Sequence, residues 1–457
     1  MPLFVRRSPM PCSADSLFAW HMRPGAFERL APPWDRVEVE KWATPDQVGQ
    51  RAILRVRVAP GVWKRWIAEY REYEPGRLFR DVQISGPFAA FDHRHIMDPN
   101  GADQSWLEDR IEYAPPLGAL GQCVAGGWVR RSLENMFAYR HKTTADDLAA
   151  FAAAPSPALR VAVTGSRGLV GSALVPFLTA GGHTVARIAR QGDEFAPPAD
   201  GWEAQDAVVH LAGAGIADKR WSAARKEVIR TSRIEGTERL CRTLAAAPRP
   251  PRTLVCASAI GIYGNRGDEA LDESSAAGDD FLATVCRDWE AATAPARAAG
   301  IRVVQLRFGV VLSARGGALA KMLPPFRMGA GGPVGNGRQW MSWVALDDAI
   351  GAIHHAIRCE SLDGPANAVA PEPARNSDFG RILGRTLRRP AFAPLPAFAA
   401  RLAFGELADA LLLASQRVAP RRLMETGYRF RYPDLATALG YQLGSIPQAD
   451  STDPRPK

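Results

Sequence analysis

The chain has 457 residues, a formal net charge of +9 and 46% hydrophobic residues. This length is too great for one compact core and predicts two or three domains, with enough apolar side chains to form them. The positive charges are dispersed arginines without a lysine-rich block, which argues against nucleic-acid binding; an anionic cofactor or ligand is a sufficient use for some of them.

Neither the N-terminus nor the cysteines indicate export. The first residues lack the apolar stretch of a signal peptide, and no segment offers roughly 18 uninterrupted apolar residues, so we expect a cytoplasmic protein without a membrane span. The six cysteines are scattered and form no C-x-x-C pair. We therefore predict reduced thiols, with neither disulfides nor a zinc cage.

Residues 1–147 carry many aromatic residues and alternating, strand-like segments, and predict a separate α+β domain. A capped helix is expected at 13–20, a helical turn at 24–34, and a longer helix with apolar residues at helical spacing at 128–142. Between them, the alternation predicts strands at 52–58, 63–73, 77–84, 89–97 and 105–113.

This order of helix, antiparallel sheet and long C-terminal helix resembles the START-like helix-grip fold, also called the polyketide cyclase-like or SRPBCC superfamily. The resemblance implies an apolar cavity between the sheet and the last helix, and with it an apolar ligand. His93 and His95 share one face of a predicted strand and could bind a metal ion, but the sequence shows no third ligand. We expect solvated or hydrogen-bonded histidines instead, and predict no metal site.

The segment RVAVTGSRGLVG, at 160–171, combines a buried strand, a glycine-rich turn and the start of a helix. Gly165, Gly168 and Gly171 permit a tight turn and a close approach of the backbone to a phosphate, although an ordinary strand-to-helix turn can contain similar glycines. A second strand at 183–188 follows the helix. The segment therefore predicts a βαβ unit that binds a dinucleotide.

The end of that second strand indicates which dinucleotide binds. An NAD enzyme usually places an acidic residue there, roughly 20 residues after the turn, for the ribose 2′-hydroxyl. Here the strand ends in Arg187-Ile188-Ala189-Arg190, and arginine can pair with a 2′-phosphate through charge-assisted hydrogen bonds. We therefore predict NADP(H); the alternative is that these arginines are only solvated.

The remaining boundaries follow from composition. Residues 148–158 predict a linker, 159–370 a nucleotide-binding domain, 371–445 a small and mostly helical module, and 446–457 a disordered tail. Later strands of the nucleotide-binding domain are expected at 207–211, 252–258 and 302–307. Only about 17 residues separate Arg190 from the first of these, so the usual third strand is expected to be reduced or missing.

Several longer motifs point to a family. They are T-G-x-x-G-x-x-G at 164–171, VVHLAG from Val208, RIEGT from Arg233, SAIGIYGNRGDE from Ser258, GDDFLATVCRDWE from Gly278, GGPVGNGRQWMSW from Gly331, and RPAFAPLPAF and LLLASQRVAPRRL near the C-terminus. Together they resemble the extended short-chain dehydrogenase/reductase superfamily, and within it an atypical branch of NAD-dependent (sugar-nucleotide) epimerases. The resemblance implies an α/β domain with a doubly wound, parallel Rossmann-type sheet.

The resemblance also implies the residues that bind NADP(H). They are Gly165, Ser166, Arg167, Gly168, Leu169, Val170 and Gly171 in the turn, Arg190 after the second strand, Leu211 and Ala212 beside the adenosine and ribose, and Arg233 on the next helix.

The usual catalytic pair is missing. Ordinary members of the superfamily exchange a proton through a tyrosine whose pKa is lowered by a lysine four residues later. In the equivalent helix, which Glu290 locates, these positions hold Leu282 and Cys286. Neither side chain can do that work.

Three other residues are candidates for the chemistry: Tyr263, Asp280 and Arg307. Tyr263 follows a strand and Asp280 precedes a helix, so a phenol or a carboxylate could reach the nicotinamide; core packing and helix capping are the alternatives. Arg307 ends a parallel strand, where such folds bind ligands, and could hold an anionic group or form a structural ion pair.

A substrate site is expected in the glycine-flanked loop at 331–343. Arg338, Gln339, Trp340 and Trp343 lie there, and indoles near an arginine suit a planar or anionic ligand. A packed, aromatic-stabilised loop is the alternative.

Two functions are compatible with these observations. The leading hypothesis is an NADP(H)-dependent oxidoreductase or epimerase that transfers hydride to or from a small-molecule substrate. The second is a non-catalytic, cofactor-gated binding protein whose N-terminal domain holds an apolar ligand. The missing tyrosine and lysine favour the second hypothesis, whereas the glycine turn fits either.

Overall fold

The computed structural model describes residues 1–59, 61–116, 118–153 and 157–446. The chain divides into two compact units: Met1–Ser156, Thr179–Gly182 and Tyr441–Lys457 form the first, and Pro157–Leu178 and His183–Gly440 form the second. The predicted boundary near residue 370 does not coincide with a division between these units. Part of the predicted linker, 154–156, and the predicted tail from 447 onward lie outside the described residues.

In the described residues up to 153, the first unit contains an antiparallel sheet and three helices. Its strands are β1 (Leu3–Met10), β2 (Val37–Lys41), β3 (Arg51–Ala59), β4 (Val62–Glu74), β5 (Leu78–Ser85), β6 (Ala90–Pro99) and β7 (Ser105–Ala114). Its helices are α1 (Ala14–Met22), α2 (Ala26–Leu30) and α3 (Gly118–Ala152). Ser13 caps α1 as predicted, because its hydroxyl oxygen accepts a hydrogen bond from the Ser16 N–H at 3.3 Å.

The seven strands lie in the order β1-β7-β6-β5-β4-β3-β2, and every neighbouring pair is antiparallel. The five predicted strands correspond to β3 to β7 and are confirmed to within two residues at each end. The edge strands β1 and β2 were not predicted.

The interior of this sheet is polar at its centre. Alternate residues of a strand share a face, and on the inner face of β6 the side chains of Phe91, His93 and Met97 are buried. Asp109 of β7 is also buried, and its carboxylate lies 2.6 Å from Nε2 of His141 on α3. Burial alone would raise the pKa of Asp109, but its attraction to His95 and hydrogen bonds from the imidazoles hold that pKa well below its usual range. The expectation of an apolar cavity and an apolar ligand is therefore not supported.

Helix α3 is longer than predicted. It continues through residues 148–152, which we expected in a linker, because the alanine-rich segment ADDLAAFA has high helix propensity. Within it, Asp147 is fully buried and accepts two hydrogen bonds of 2.8 Å from Arg29 of α2. This ion pair fixes the last turns of α3 in the first unit.

The second unit is an α/β structure. Its strands are β8 (Arg160–Thr164), β9 (Thr184–Ile188), β10 (Arg190–Gln191), β11 (Glu194–Phe195), β12 (Ala207–His210), β13 (Thr253–Ala259), β14 (Ala270–Leu271), β15 (Arg302–Phe308), β16 (Val310–Leu312), β17 (Trp340–Met341), β18 (Trp343–Ala345), β19 (Gly364–Ala368), β20 (Ala374–Arg375) and β21 (Arg417–Val418). The remaining α-helices are α4 (Leu169–Ala180), α5 (Ala223–Ala245), α6 (Phe281–Ala291), α7 (Ala294–Ala298), α8 (Gly317–Arg327), α9 (Leu346–Arg358), α10 (Asn376–Leu387), α11 (Ala397–Phe404), α12 (Arg421–Glu425) and α13 (Leu435–Leu443). Within the described part of the chain, no helix has the length and apolar character needed to cross a bilayer.

A six-stranded parallel sheet in the order β19-β15-β13-β12-β8-β9 forms the core of the second unit. The chain moves outward from β8 to β9 on one side and from β12 to β19 on the other, so the strand order reverses between β8 and β12. A Rossmann sheet normally has a further strand beyond β9. Here the segment between β9 and β12 forms only the short antiparallel pair β10–β11, which agrees with the predicted loss of the third strand.

The residues after 370 are joined to the loop that leaves β13. The Gln416 side-chain amide donates to the backbone oxygens of Ile260 and Gly264, both at 3.0 Å, and the Ser415 N–H donates to Asn265 Oδ1 at 3.0 Å. The helix predicted at 397–413 is interrupted at Gly405, whose φ of +63° ends α11.

Candidate cofactor and substrate sites

The turn between β8 and α4 packs against the end of β12. Gly165 has a φ of +66°, and a Cβ on it would lie 2.7 Å from the Leu211 carbonyl carbon and 2.8 Å from the Ala212 nitrogen. A Cβ on Gly171 would overlap the Gly165 carbonyl oxygen. Glycine alone fits both positions, and the compact turn brings the first N–H groups of α4 to the carboxyl edge of the sheet.

The other predicted residues of the turn differ in exposure. Ser166 is buried, Arg167 and Gly168 are exposed, and Leu169 and Val170 are half-buried. The turn therefore presents backbone and one cationic side chain to solvent at the reversal of strand order, where open α/β sheets bind ligands.

Buried hydrogen bonds tie the turn to the neighbouring strand. The hydroxyl of Thr164, at the end of β8, lies 2.8 Å from His210 Nδ1 and accepts from the Leu211 N–H at 3.2 Å. His210 Nε2 lies 3.0 Å from the Thr237 hydroxyl on α5. Burial lowers the pKa of His210 to about 4, so its ring is neutral at pH 7.

Arg190 lies on β10, just beyond the end of β9, and its side chain is 42% exposed. Its Nε donates to the Gly192 carbonyl at 3.0 Å, and Nη2 donates to Asp193 Oδ1 at 3.2 Å. Because exposed ion pairs are weak, the guanidinium can exchange this partner for a phosphate.

Arg233 of α5 is buried. Its Nη1 donates to the backbone oxygens of Ala214 and Ile229 at 3.0 and 3.2 Å, and its guanidinium carbon lies 5.1 Å from the centre of the Trp289 ring. Burial lowers the pKa of Arg233. These contacts hold the loop that follows β12.

Two of the three catalytic candidates belong to one buried hydrogen-bonded group. Arg307 donates from Nε and Nη2 to the two carboxylate oxygens of Glu290, both at 2.8 Å, and from Nη1 to the Tyr263 hydroxyl at 2.9 Å. That hydroxyl donates to Asn367 Oδ1 at 2.8 Å. Tyr263 is fully buried, and burial raises its pKa. The phenol therefore does not face an open site, and Arg307 forms the structural ion pair that was its alternative.

Leu282 and Cys286, at the positions of the missing tyrosine and lysine, lie in apolar surroundings. A Cβ on Gly261 would lie 3.4 Å from Leu282 Cβ and 3.8 Å from Cys286 Sγ, so both side chains pack on the loop after β13. Burial raises the pKa of Cys286 to about 12, and the thiol stays protonated. Asp280 caps α6 by accepting from the Ala283 N–H at 2.8 Å, yet it is exposed. Of the three catalytic candidates, Asp280 is the one that solvent can reach.

The residues predicted to bind substrate separate into two groups. Trp343 is fully buried, and its Nε1 donates to the Glu372 carbonyl at 3.0 Å, so this indole packs inside the loop. Gln339 is also buried, and its amide donates to the carbonyls of Val334 and Leu412 at 3.0 and 2.9 Å. These two side chains hold the loop in place.

Arg338 and Gln339 line an open cleft of about 690 Å³. Arg375 of β20, Arg401 of α11 and Asp268 lie in the same walls. Three guanidinium groups and one carboxylate give the cleft an excess of positive charge, which suits an anionic ligand.

Trp340 stands beside this cleft. Its Nε1 donates to Asp268 Oδ1 at 2.8 Å, and the guanidinium carbons of Arg375 and Arg417 lie 4.2 and 4.9 Å from its ring centre. Hydrogen bonds from Trp340 and Arg375 lower the pKa of Asp268. The indole is thus held rigidly among charged groups.

Sequence comparison assigns the second unit. The NAD dependent epimerase/dehydratase family model matches residues 161–368, and a domain of unknown function, DUF1731, matches residues 395–441. Epimerase family protein Mb2239 of Mycobacterium bovis is 45% identical over 294 residues, which cover 62% of this chain and 96% of that protein. The chain belongs to the NAD-dependent epimerase/dehydratase family.

Two solved structures of the family are similar to this chain. The nucleoside-diphosphate sugar epimerase from Corynebacterium glutamicum is 33% identical, with a TM-score of 0.78, and the match covers 98% of this chain and 91% of that one. The human epimerase family protein SDR39U1 (isoform 2), solved with NADPH, is 36% identical, with a TM-score of 0.59; the match covers 63% of this chain and all of that one.

Some residues of the cleft and of the buried Arg307 group were not predicted as site residues. Glu290 served only to locate a helix, although its carboxylate binds the guanidinium of Arg307. Arg375 and Arg401 carry no local signal, because they reach the cleft from segments distant in sequence.

Proposed function

We propose that the chain is an NADP(H)-dependent oxidoreductase or epimerase that acts on an anionic small molecule. The observation that carries the proposal is the turn from Gly165 to Gly171, which packs against Leu211 and Ala212 at the reversal of strand order. The human relative that is 36% identical was solved with NADPH. When bound, the nicotinamide would accept a hydride from a substrate carbon or return one to it.

The preference for NADP(H) over NAD(H) rests on Arg190. Its guanidinium is exposed after β9 and would donate charge-assisted hydrogen bonds to a 2′-phosphate. Asp193, its present partner, is 77% exposed and free to turn toward solvent.

Titration of the purified chain with NADPH and NADH tests this preference. We expect NADPH to bind about 10-fold tighter, from charge-assisted bonds of about 1.5 kcal/mol. Arg190→Glu should remove the difference, whereas Arg242→Glu, at an exposed position of α5, should keep it. Equal affinities in the unmodified chain would reject the assignment of the 2′-phosphate to Arg190.

For the substrate, we propose a nucleoside-diphosphate sugar in the cleft at Arg338, Arg375 and Arg401. Guanidinium groups match phosphate oxygens in geometry and charge, and the indole of Trp340 offers a planar contact beside them. The Corynebacterium glutamicum relative is described as a nucleoside-diphosphate sugar epimerase. The cleft wall at Gly267 and Asp268 belongs to the loop that leaves the carboxyl end of β13.

Asp280 is our candidate for the proton exchange that accompanies hydride transfer. It is exposed, whereas Tyr263 and Arg307 are buried and paired with each other. Asn caps helices as well as Asp does, so Asp280→Asn removes the base and keeps the cap. We expect turnover of a nucleoside-diphosphate sugar to be lost while the free energy of unfolding changes by less than about 0.5 kcal/mol. Unchanged turnover would exclude Asp280.

The second candidate is a non-catalytic, cofactor-gated binding protein. Leu282, Cys286 and Tyr263 favour it, because none of them offers an accessible ionisable group near the loop after β13. Incubation with NADP⁺ and a panel of nucleoside-diphosphate sugars separates the two functions. Formation of reduced nicotinamide or of an epimer supports the enzyme, whereas binding of both ligands without either product supports the second candidate.

We further propose that the first unit has the START-like helix-grip fold. The order of β1, two short helices, six strands and a long helix supports it, as does the contact of His141 on α3 with Asp109 on the inner face of the sheet. A crystal structure in which α3 leaves that face would contradict the proposal.

A further inference from the structure

Imidazole and carboxylate side chains meet on adjacent strands at the centre of the first unit. In the register of the sheet, Asp81 of β5 is opposite His93 of β6, and His95 of β6 is opposite Asp109 of β7. Directly opposed residues of antiparallel strands have Cβ atoms about 5 Å apart. The four side chains therefore lie within contact distance of one another, and all of them belong to the part of the chain that precedes the epimerase/dehydratase match.

Asp109 holds the orientation of both histidines. Its Oδ1 lies 2.9 Å from His93 Nε2 and 2.7 Å from His95 Nδ1, and its Oδ2 lies 2.6 Å from His141 Nε2. An ionised carboxylate only accepts hydrogen bonds, so the ring nitrogens that face Asp109 carry the protons. His141 is itself held by the Ser8 hydroxyl, 2.8 Å from its Nδ1.

The opposite ring nitrogens face Asp81. His93 Nδ1 lies 3.6 Å and His95 Nε2 lies 3.8 Å from Asp81 Oδ2. In the neutral rings these nitrogens carry lone pairs, so three electron-pair donors converge, and one ligand atom from each residue lies within 4.8 Å of the others. Ligands about 2.1 Å from a tetrahedral ion are about 3.4 Å apart, so small side-chain rotations would close the site.

We propose that Asp81, His93 and His95 bind one divalent transition-metal ion of the Zn²⁺ or Fe²⁺ class. Two imidazoles and one carboxylate are a donor set that both ions accept, and it leaves coordination positions open for water or a small ligand. Asp109 supplies the outer carboxylate that typically fixes metal-bound histidines through their second nitrogen.

Charge and surroundings agree with this assignment. The two carboxylates, Asp81 and Asp109, together balance the charge of a divalent ion in a buried site. Phe79 stacks on the His95 ring at 4.2 Å, and Phe137 meets the His93 ring edge-on at 5.3 Å, so both imidazoles are held in apolar contacts. The Asp81 side chain is 18% exposed, against 5% for His93, and gives the ion a route of entry.

Metal titration of the full chain tests the proposal. After chelator treatment and dialysis, calorimetry with Zn²⁺, and with Fe²⁺ under anaerobic conditions, should give one equivalent of tight binding. Asp81→Asn and His95→Gln should weaken that binding at least 100-fold, and Asp109→Asn should weaken it about 10- to 100-fold with unchanged stoichiometry. His355→Gln, in the second unit, is the matched control and should bind as the unmodified chain does.

Co²⁺ spectra report the ligand type independently. Visible bands of a nitrogen- and oxygen-ligated ion are expected, and intense thiolate charge-transfer bands would instead place the ion on cysteines and overturn the proposal. Absence of binding by the unmodified chain, or binding that Asp81→Asn leaves intact, would also overturn it. If His95→Gln does not fold by circular dichroism, Asp81→Asn decides, because Asp81 is the most exposed of the three ligands.

Discussion

Glu290 accepts two parallel hydrogen bonds from Arg307, and the two side chains are only 13% and 9% exposed. Glu290 also accepts from the Ser258 hydroxyl at 2.7 Å. The pair therefore joins β13, β15 and α6 beneath the loop that leaves β13.

Glu290→Gln should destabilise the chain by about 3 kcal/mol, because the buried Arg307 charge would lose its counter-charge. The control is Glu238→Gln, which breaks an exposed pair with Arg242 and should cost less than about 0.5 kcal/mol. Urea unfolding measures both. Equal losses in the two variants would show that burial does not govern the Arg307 pair.

Gly171→Ala should abolish NADPH binding and destabilise the chain by about 1–3 kcal/mol, because the added methyl group overlaps the Gly165 carbonyl oxygen. Gly236→Ala is the matched control, since a Cβ at this position of α5 meets no atom within 4 Å outside its own helix. That variant should keep NADPH binding and gain about 0.5–1 kcal/mol. Intact NADPH binding by Gly171→Ala would contradict the described turn.

His210 should make the stability of the chain fall with acid. Its pKa is about 4 in the folded chain and about 6.5 when unfolded, so its contribution is complete above pH 6.5 and is lost as the pH falls toward 4. The loss approaches about 1.4 kcal/mol per pH unit between these values. Between pH 7 and pH 5, urea unfolding should show that His210→Gln loses about 2 kcal/mol less stability than the unmodified chain does. An equal loss in the two chains would assign the acid sensitivity to other histidines.

Arg338→Ala should weaken the binding of uridine diphosphate about 10-fold and leave NADPH binding unchanged, because Arg338 lines the cleft and supplies a charge-assisted donor. Arg327→Ala removes an arginine of α8 that is also exposed but does not line the cleft, and this variant should bind as before. Calorimetry distinguishes these outcomes. If both variants bind uridine diphosphate like the unmodified chain, the nucleotide lies elsewhere.

The sequence predicted the turn after β8 well, because its signal is local: an apolar strand, spaced glycines and an apolar helix are adjacent in the chain. The edge strands β1 and β2 were harder to predict from the sequence. β2 reads VEVEK, which alternates but is only five residues long and largely exposed, and β1 contains Pro9, which is uncommon inside a strand.

Sites that depend on strand register could not be predicted from the local sequence. His93 and His95 were recognised as sharing a face, but Asp81 becomes their neighbour only through the pairing of β5 with β6. In the same way, the hydroxyl of Tyr263 is occupied by Asn367, more than 100 residues later. A sequence pattern gives the direction of a side chain along its own strand and says nothing about the strand beside it.

The hydrogen bonds of Gln416 limit how this chain can be shortened. A fragment that ends before residue 395 would lose the side-chain donor for the carbonyls of Ile260 and Gly264, at a cost of about 1–3 kcal/mol for each carbonyl that stays buried. The two family matches are separate along the sequence, yet they should unfold in one cooperative transition. Expression of the nucleotide-binding portion by itself should therefore yield aggregated material, and a soluble fragment needs to extend to about residue 440.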